Sequence, residues 1–156
     1  AKEPWRNPYA FSKFSLEHFA SDNSLGMRFT TSYGPNGREN MLIPQIIKGV
    51  VPYINVDHSR DFIHVEDICK IYEKILTSKK KINKILDLGT GTGFRIADIV
   101  NCSGIKKKDV IISNKYVDEI SASVADMRWL KKFFPDFKFE SLIKNIKSQK
   151  RSKIKR

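Results

Sequence analysis

Tyr9 and Lys13 stand four residues apart in YAFSK, a spacing that sets a phenol and an ammonium on one face of a helix. A phenol titrating near ~10 is a poor base at neutral pH, and a nearby cation favours its phenolate, bringing it toward general acid–base work. The same pair also fits the edge of an ordinary amphipathic helix, so spacing alone leaves both readings open. Arg60 stands beside Asp61, which by itself reads as a surface ion pair. Gly89-Thr90-Gly91-Thr92-Gly93 follows the apolar run ILDL and reads as either a ligand-approaching loop or a tight turn that needs glycine. Other chemistry has less support. Cys69 and Cys102 match no C-x-x-C or Cys/His zinc spacing and read as two reduced, partly buried thiols of a cytosolic protein. His18 and His58 have no partner constellation, and Trp5 and Trp129 read as packing groups.

The elements that must position these groups alternate. A helix is predicted from Tyr9 to about Ala20, with Phe11, Phe14, Leu16 and Phe19 available for burial. GMRFTTSY reads as one strand ending in the turn Gly34-Pro35-Asn36-Gly37, and a short helix follows from Asn40 to about Lys48. Short strands are expected at Tyr53–Val56 and Phe62–His64. Val65, Ile68, Tyr72, Ile75 and Leu76 recur at helical spacing, predicting a helix over Glu66–Ser78 with two acids in its first turn. Strands at Ile85–Leu88 and Asp109–Ser113 are followed by helices after GTGTG, over Asp126–Phe134 and over Leu142–Lys147. This alternation argues for α/β architecture.

Across 156 residues the net charge is +12, but residues 144–156 hold seven cations and no acid, leaving +5 on the rest. That division makes 1–143 the folded part and 144–156 a basic, frayed tail. Lysine dominates over arginine and the tail lacks stacking aromatics, which argues against a nucleic-acid arm. No apolar run reaches the ~20 residues of a membrane span, so a cytoplasmic location without membrane insertion is expected.

In order, NPYAFSKFSLE, LGMRFTTSYGPNGRENMLIP, SRDFIHVEDICKIYEKIL, ILDLGTGTGFRIADIV and ISASVADMRWLKKFF resemble the carboxy-terminal portion of the extended short-chain dehydrogenase/reductases, the NAD-dependent sugar-nucleotide epimerases and dehydratases. RFTTSYGPNGRENM looks most like the UDP-glucuronate 4-epimerase branch, with UDP-glucose 4-epimerases close by. The resemblance implies the carboxy-terminal part of a Rossmann-like doubly wound fold interleaved with a small α/β substrate domain. It implies Tyr9 as general acid/base, with Lys13 tuning it and bonding the nicotinamide ribose, and Phe29 and Thr30 beside the nicotinamide. Thr31 would face the sugar, Asn40, Met41 and Leu42 would run along the nucleotide-sugar, and Arg60 would grip its diphosphate through a guanidinium fork. NAD is the implied cofactor, a nucleotide-diphosphate sugar the implied partner, and the reaction an epimerisation or dehydration through a keto-sugar.

The chain begins eight residues before Tyr9, without the Gly-rich dinucleotide loop, so the expectation is a fragment, inactive alone, of an enzyme whose amino-terminal half is missing. The resemblance also allows a homodimer of the full-length enzyme. Relatives generally show a second diphosphate-binding arginine where only Lys115 could serve here, and glycine where Asp57-His58-Ser59 stands. Two rivals remain: a non-catalytic relative acting as a binding module, and a methyltransferase fragment, because ILDLGTGTG also resembles the first S-adenosylmethionine motif of that fold.

Overall fold

The protein is described by a computed structural model covering residues 5, 7–21, 23–51, 53–55, 57–79, 82, 85–105, 111–112 and 120–154. Its elements run α1 (Pro8–His18), β1 (Gly26–Phe29), β2 (Thr31–Tyr33), α2 (Leu42–Lys48), β3 (Tyr53–Ile54), β4 (Ser59–His64) and α3 (Val65–Thr77). They continue with β5 (Ile85–Leu88), β6 (Gly93–Arg95), α4 (Ile96–Cys102), β7 (Ile111–Ile112), β8 (Ala122–Ser123), α5 (Arg128–Phe133) and α6 (Leu142–Ile154). The expected α/β class is observed, with β1–β5, β2–β4, β3–β7 and β4–β8 all parallel and β4–β6 antiparallel.

Strand β4 explains why there are two cores. Side chains alternate across a strand, so Phe62 enters one apolar cluster and Ile63 the other. The first holds Ile43 and Ile46 of α2, Ile96, Ile99 and Val100 of α4, and Leu142 and Ile146 of α6. The second joins Ile71, Leu88, Met127 and Leu130. A strand covered on both faces in this way is characteristic of parallel sheet.

Helix α3 forms where its apolar period predicts, but its buried stripe is Asp67 and Ile71 flanked by Ile68 and Ile75, while Leu76 faces solvent. His64 caps it, accepting from the Glu66 N–H at 3.3 Å. Three expectations need correction. The aromatic residues of α1 are not buried, and no residue of that helix is. Cys69 and Cys102 are exposed, each lying on the solvent side of its helix. The tail does not start at Lys144. Residues 142–154 contain neither Pro nor Gly, Ile146 is anchored in the first core, and Lys150 Nζ donates to the Ser103 carbonyl at 2.6 Å, just past the end of α4 where a cation is favoured. The antiparallel β6 and the two-residue β8 have no apolar alternation to announce them. Among the expected features, Lys115 and part of the Asp109–Ser113 strand lie outside the described residues. Among the described residues, no helix is long and apolar enough to cross a membrane, and no three His, Cys, Asp or Glu side chains gather as a metal would require.

Candidate functional site

The segment read as one strand changes partners at Thr30. Phe29 is in register with Leu88 of β5, Thr30 N–H donates to the Leu88 carbonyl at 3.0 Å, and Thr31 is in register with Phe62 of β4. A crevice opens where neighbouring parallel strands part in this way. Here it is a cleft of about 370 Å³ lined by Phe29, Thr30, Thr31, Arg60, Ile120 and Ser123. Thr31 and Arg60 also line a larger cavity of about 520 Å³, together with Asn40, Met41 and Leu42. The five residues expected along a nucleotide-sugar thus share one cavity, and the two expected beside a nicotinamide share the adjoining cleft.

Local folding accounts for this convergence. Gly34 adopts φ 147 and Asn36 φ 60, and Gly37 N–H donates to the Gly34 carbonyl at 3.3 Å, which turns the chain back over β2. A side chain at Gly34 would put its Cβ 2.5 Å from Val65 Cγ1. Ile43 and Ile46 then pin α2 to the core, so Asn40–Leu42 are held at the cavity rim. Tyr33 also lines this cavity, but its hydroxyl is buried without a hydrogen-bond partner among the described residues. Burial first, then the Asp67 and Glu140 carboxylates, hold its phenol far above the usual range, so it keeps its proton.

Arg60 is not paired with Asp61 as an exposed couple. Its Nη1 donates to the carbonyls of Ser59 at 2.9 Å and Ser121 at 3.3 Å, and its Nη2 lies 3.2 Å from His58 Nδ1. Asp61 points to the opposite face and is fully buried. Its carboxylate accepts from the N–H groups of Thr90, Gly91 and Ala125 and from the Thr90 hydroxyl. The GTGTG turn is therefore wrapped around the chain's own anion. A Cβ at Gly89 would fall 2.3 Å from Asp61 Oδ2 and 2.7 Å from Thr30 Oγ1. These glycines serve close packing, and the donors that a methyltransferase-type loop would turn toward a ligand are committed to Asp61.

Tyr9 and Lys13 do share a face of α1, with Lys13 Nζ 5.4 Å from the Tyr9 ring centroid. Tyr9 is 71% exposed, and neither residue lines the cleft or the cavity. The helix starts cleanly, since Asn7 Oδ1 accepts from the Tyr9 and Ala10 N–H groups. It is tied to β1 by a two-pronged bond from Arg28 to Glu17, both contacts at 2.6 Å. That bond holds the Glu17 carboxyl below its ordinary value of 4.5. Because the folded value is the lower one, the tie is complete above about pH 4.5 and is lost as pH falls through the lowered value. Arg28 is more than half exposed, so solvent screening keeps the energy small. Amide exchange in α1, corrected for intrinsic rates, should accelerate across that window while α3 stays protected; an unchanged α1 would remove Glu17 from this account.

A family model described as NAD dependent epimerase/dehydratase family matches residues 1–89. The chain belongs to this family. CDP-abequose synthase of Salmonella typhimurium (strain LT2) is 32% identical over 84 residues, which is 49% of this chain and 28% of that protein. Among solved structures, MoeE5 in complex with UDP-glucuronic acid and NAD matches with a TM-score of 0.78 and 20% identity, covering 96% of this chain and 56% of its own. UDP-glucuronic acid 4-epimerase from Bacillus cereus, also in complex with UDP-glucuronic acid and NAD, matches with a TM-score of 0.78 and 20% identity over 93% of this chain and 52% of its own. At these identities the two structures show a shared Rossmann-like fold. The chain spans about half the length of these solved relatives.

The larger cavity of this family member also contains residues whose place at a site the sequence did not announce. Arg38, Gln45, Asn55 and His58 all line it. Arg38 follows the glycine turn and could be found from that turn alone. His58 had no such signal, because its contact with Arg60 depends on how the chain enters β4.

Proposed function

We propose that this chain is the substrate-side half of an NAD-dependent epimerase or dehydratase acting on a nucleotide-diphosphate sugar, competent only when joined to a dinucleotide-binding half. The observation that carries the reading is the convergence of Thr31, Asn40, Met41, Leu42 and Arg60 on one cavity that adjoins the Phe29–Thr30 cleft. Arg60 meets the diphosphate, Thr31 faces the sugar, and Asn40–Leu42 run along the nucleotide-sugar. Relatives named for CDP- and UDP-linked sugars leave the base unspecified, whereas a diphosphate is common to both chemistries.

The fit to NAD is partial. Phe29, half-exposed at the cleft, and Thr30 suit the nicotinamide end, while the N–H groups of the glycine turn are taken by Asp61 and offer no pyrophosphate cradle. When bound, NAD supplies the hydride acceptor and donor. Tyr9 takes and returns the proton of the reacting hydroxyl, and Lys13 holds the ribose beside it. Both project from an exposed helix, as they would if the remaining half closes over α1 and the cleft.

Calorimetric titration of the chain with UDP-glucose tests the substrate assignment. Arg60→Ala is expected to weaken binding at least about tenfold through loss of a charge-assisted hydrogen-bond donor. Displacement by heparin fragments with no response to UDP would instead favour a basic binding module and defeat the reading.

A further inference from the structure

We propose that His58 is a positioning residue, fixing the Arg60 guanidinium where the cavity and the cleft meet; the proposal rests on the diphosphate role given to Arg60 above. The backbone around His58 is held on several sides. Its N–H donates to the Asn55 carbonyl at 3.2 Å, its carbonyl accepts from Ile96 N–H at 3.0 Å, and the next residue, Ser59, donates to the Ser121 carbonyl at 2.8 Å. The ring therefore hangs from an anchored segment.

Residues two apart in extended chain share a face, which brings the imidazole alongside Arg60 and leaves Asp61 on the other side. Nδ1 lies 3.2 Å from Nη2. A guanidinium has donors only, so Nδ1 must be the acceptor and the ring proton sits on Nε2. Arginine's long side chain would otherwise sample many rotamers. Here Nη1 is held by the Ser59 and Ser121 carbonyls and Nη2 by the imidazole, so three contacts fix the plane of the fork. Both residues line the larger cavity, and Arg60 lines the cleft as well. An oriented fork can meet a diphosphate without first being ordered.

The test is UDP-glucose affinity of the full chain by calorimetry for wild type, His58→Phe, His58→Asn and Arg60→Ala. The Asn side-chain oxygen can stand where Nδ1 stands, whereas Phe keeps the ring and loses the acceptor. His58→Phe should bind about tenfold more weakly, and His58→Asn should return to within about threefold of wild type. His58→Leu replaces the Phe variant should that one not fold. Wild-type affinity in the Phe or Leu variant overturns the proposal, and so does an Asn variant as weak as either. If Arg60→Ala weakens binding but His58→Phe does not, only the positioning role falls. If Arg60→Ala binds like wild type, the diphosphate reading falls first and takes His58 with it.

Discussion

Asp61→Ala should lower the stability of this chain by about 3–4 kcal/mol. The carboxylate is 0% exposed and accepts from three backbone N–H groups and one hydroxyl. Removing it strands those donors, and a buried unsatisfied donor costs about 1–3 kcal/mol. The sum is tempered because Gly91 is exposed and Thr90 only half-buried, so water can reach part of the turn; Ala125 is buried and has no such relief. A domain has about 5–15 kcal/mol in total, so this is a large fraction of it, and at a urea slope of about 1–3 kcal/mol per molar the midpoint moves by roughly 1–4 M. Asp61→Asn keeps volume and one acceptor oxygen and should lose less. The effect also reaches the site: Ala125 and Ser121 flank β8, and the Ser121 carbonyl is one of Arg60's acceptors. Urea unfolding followed by far-ultraviolet circular dichroism decides the matter, and a change below about 1 kcal/mol would falsify the hub role of Asp61.

What could be read in advance follows the range of the interactions. Helix α3 is legible because its apolar period and its acidic first turn are local, yet its exact face is not: Leu76 fits the period but faces solvent, while polar Asp67 is buried because its Oδ2 accepts from Glu140 N–H at 2.8 Å, across 73 residues of chain. The break in GMRFTTSY at Thr30 is invisible locally, since it is imposed by β5 on one side and β4 on the other. Thr31, Asn40–Leu42 and Arg60 were nameable through a resemblance of ordered motifs, whereas their common cavity is a product of the fold. Asp61 shows the limit most plainly. Beside Arg60 in sequence it suggests an ion pair, and strand alternation sends it instead to the glycine turn. The cationic end misleads in the opposite sense, because charge conceals Ile146, which together with Leu142 anchors the last helix in the first core.

Tyr9→Phe should reduce turnover about 10²–10⁴-fold once this chain is assembled with a dinucleotide-binding half, with sugar-nucleotide affinity nearly unchanged. The substitution removes one oxygen and leaves the ring, so the Lys13 ammonium keeps an aromatic face 5.4 Å away. Its structural cost should be small. The ring is 71% exposed, the helix start is secured by Asn7, and α1 is tied to β1 through Glu17 and Arg28, none of which uses the phenol oxygen. A surface change of this kind usually falls within about 0.5 kcal/mol, so the variant should melt with wild type. That separation gives the experiment its force: a role in packing would move the melting curve, a role in substrate binding would move the affinity, and a proton-transfer role moves only turnover. Chromatography of the sugar-nucleotide products measures the last, and calorimetry and melting measure the other two. Undiminished turnover in the assembled enzyme would take Tyr9 out of the mechanism and leave the exposed phenol and ammonium as the edge of an amphipathic helix.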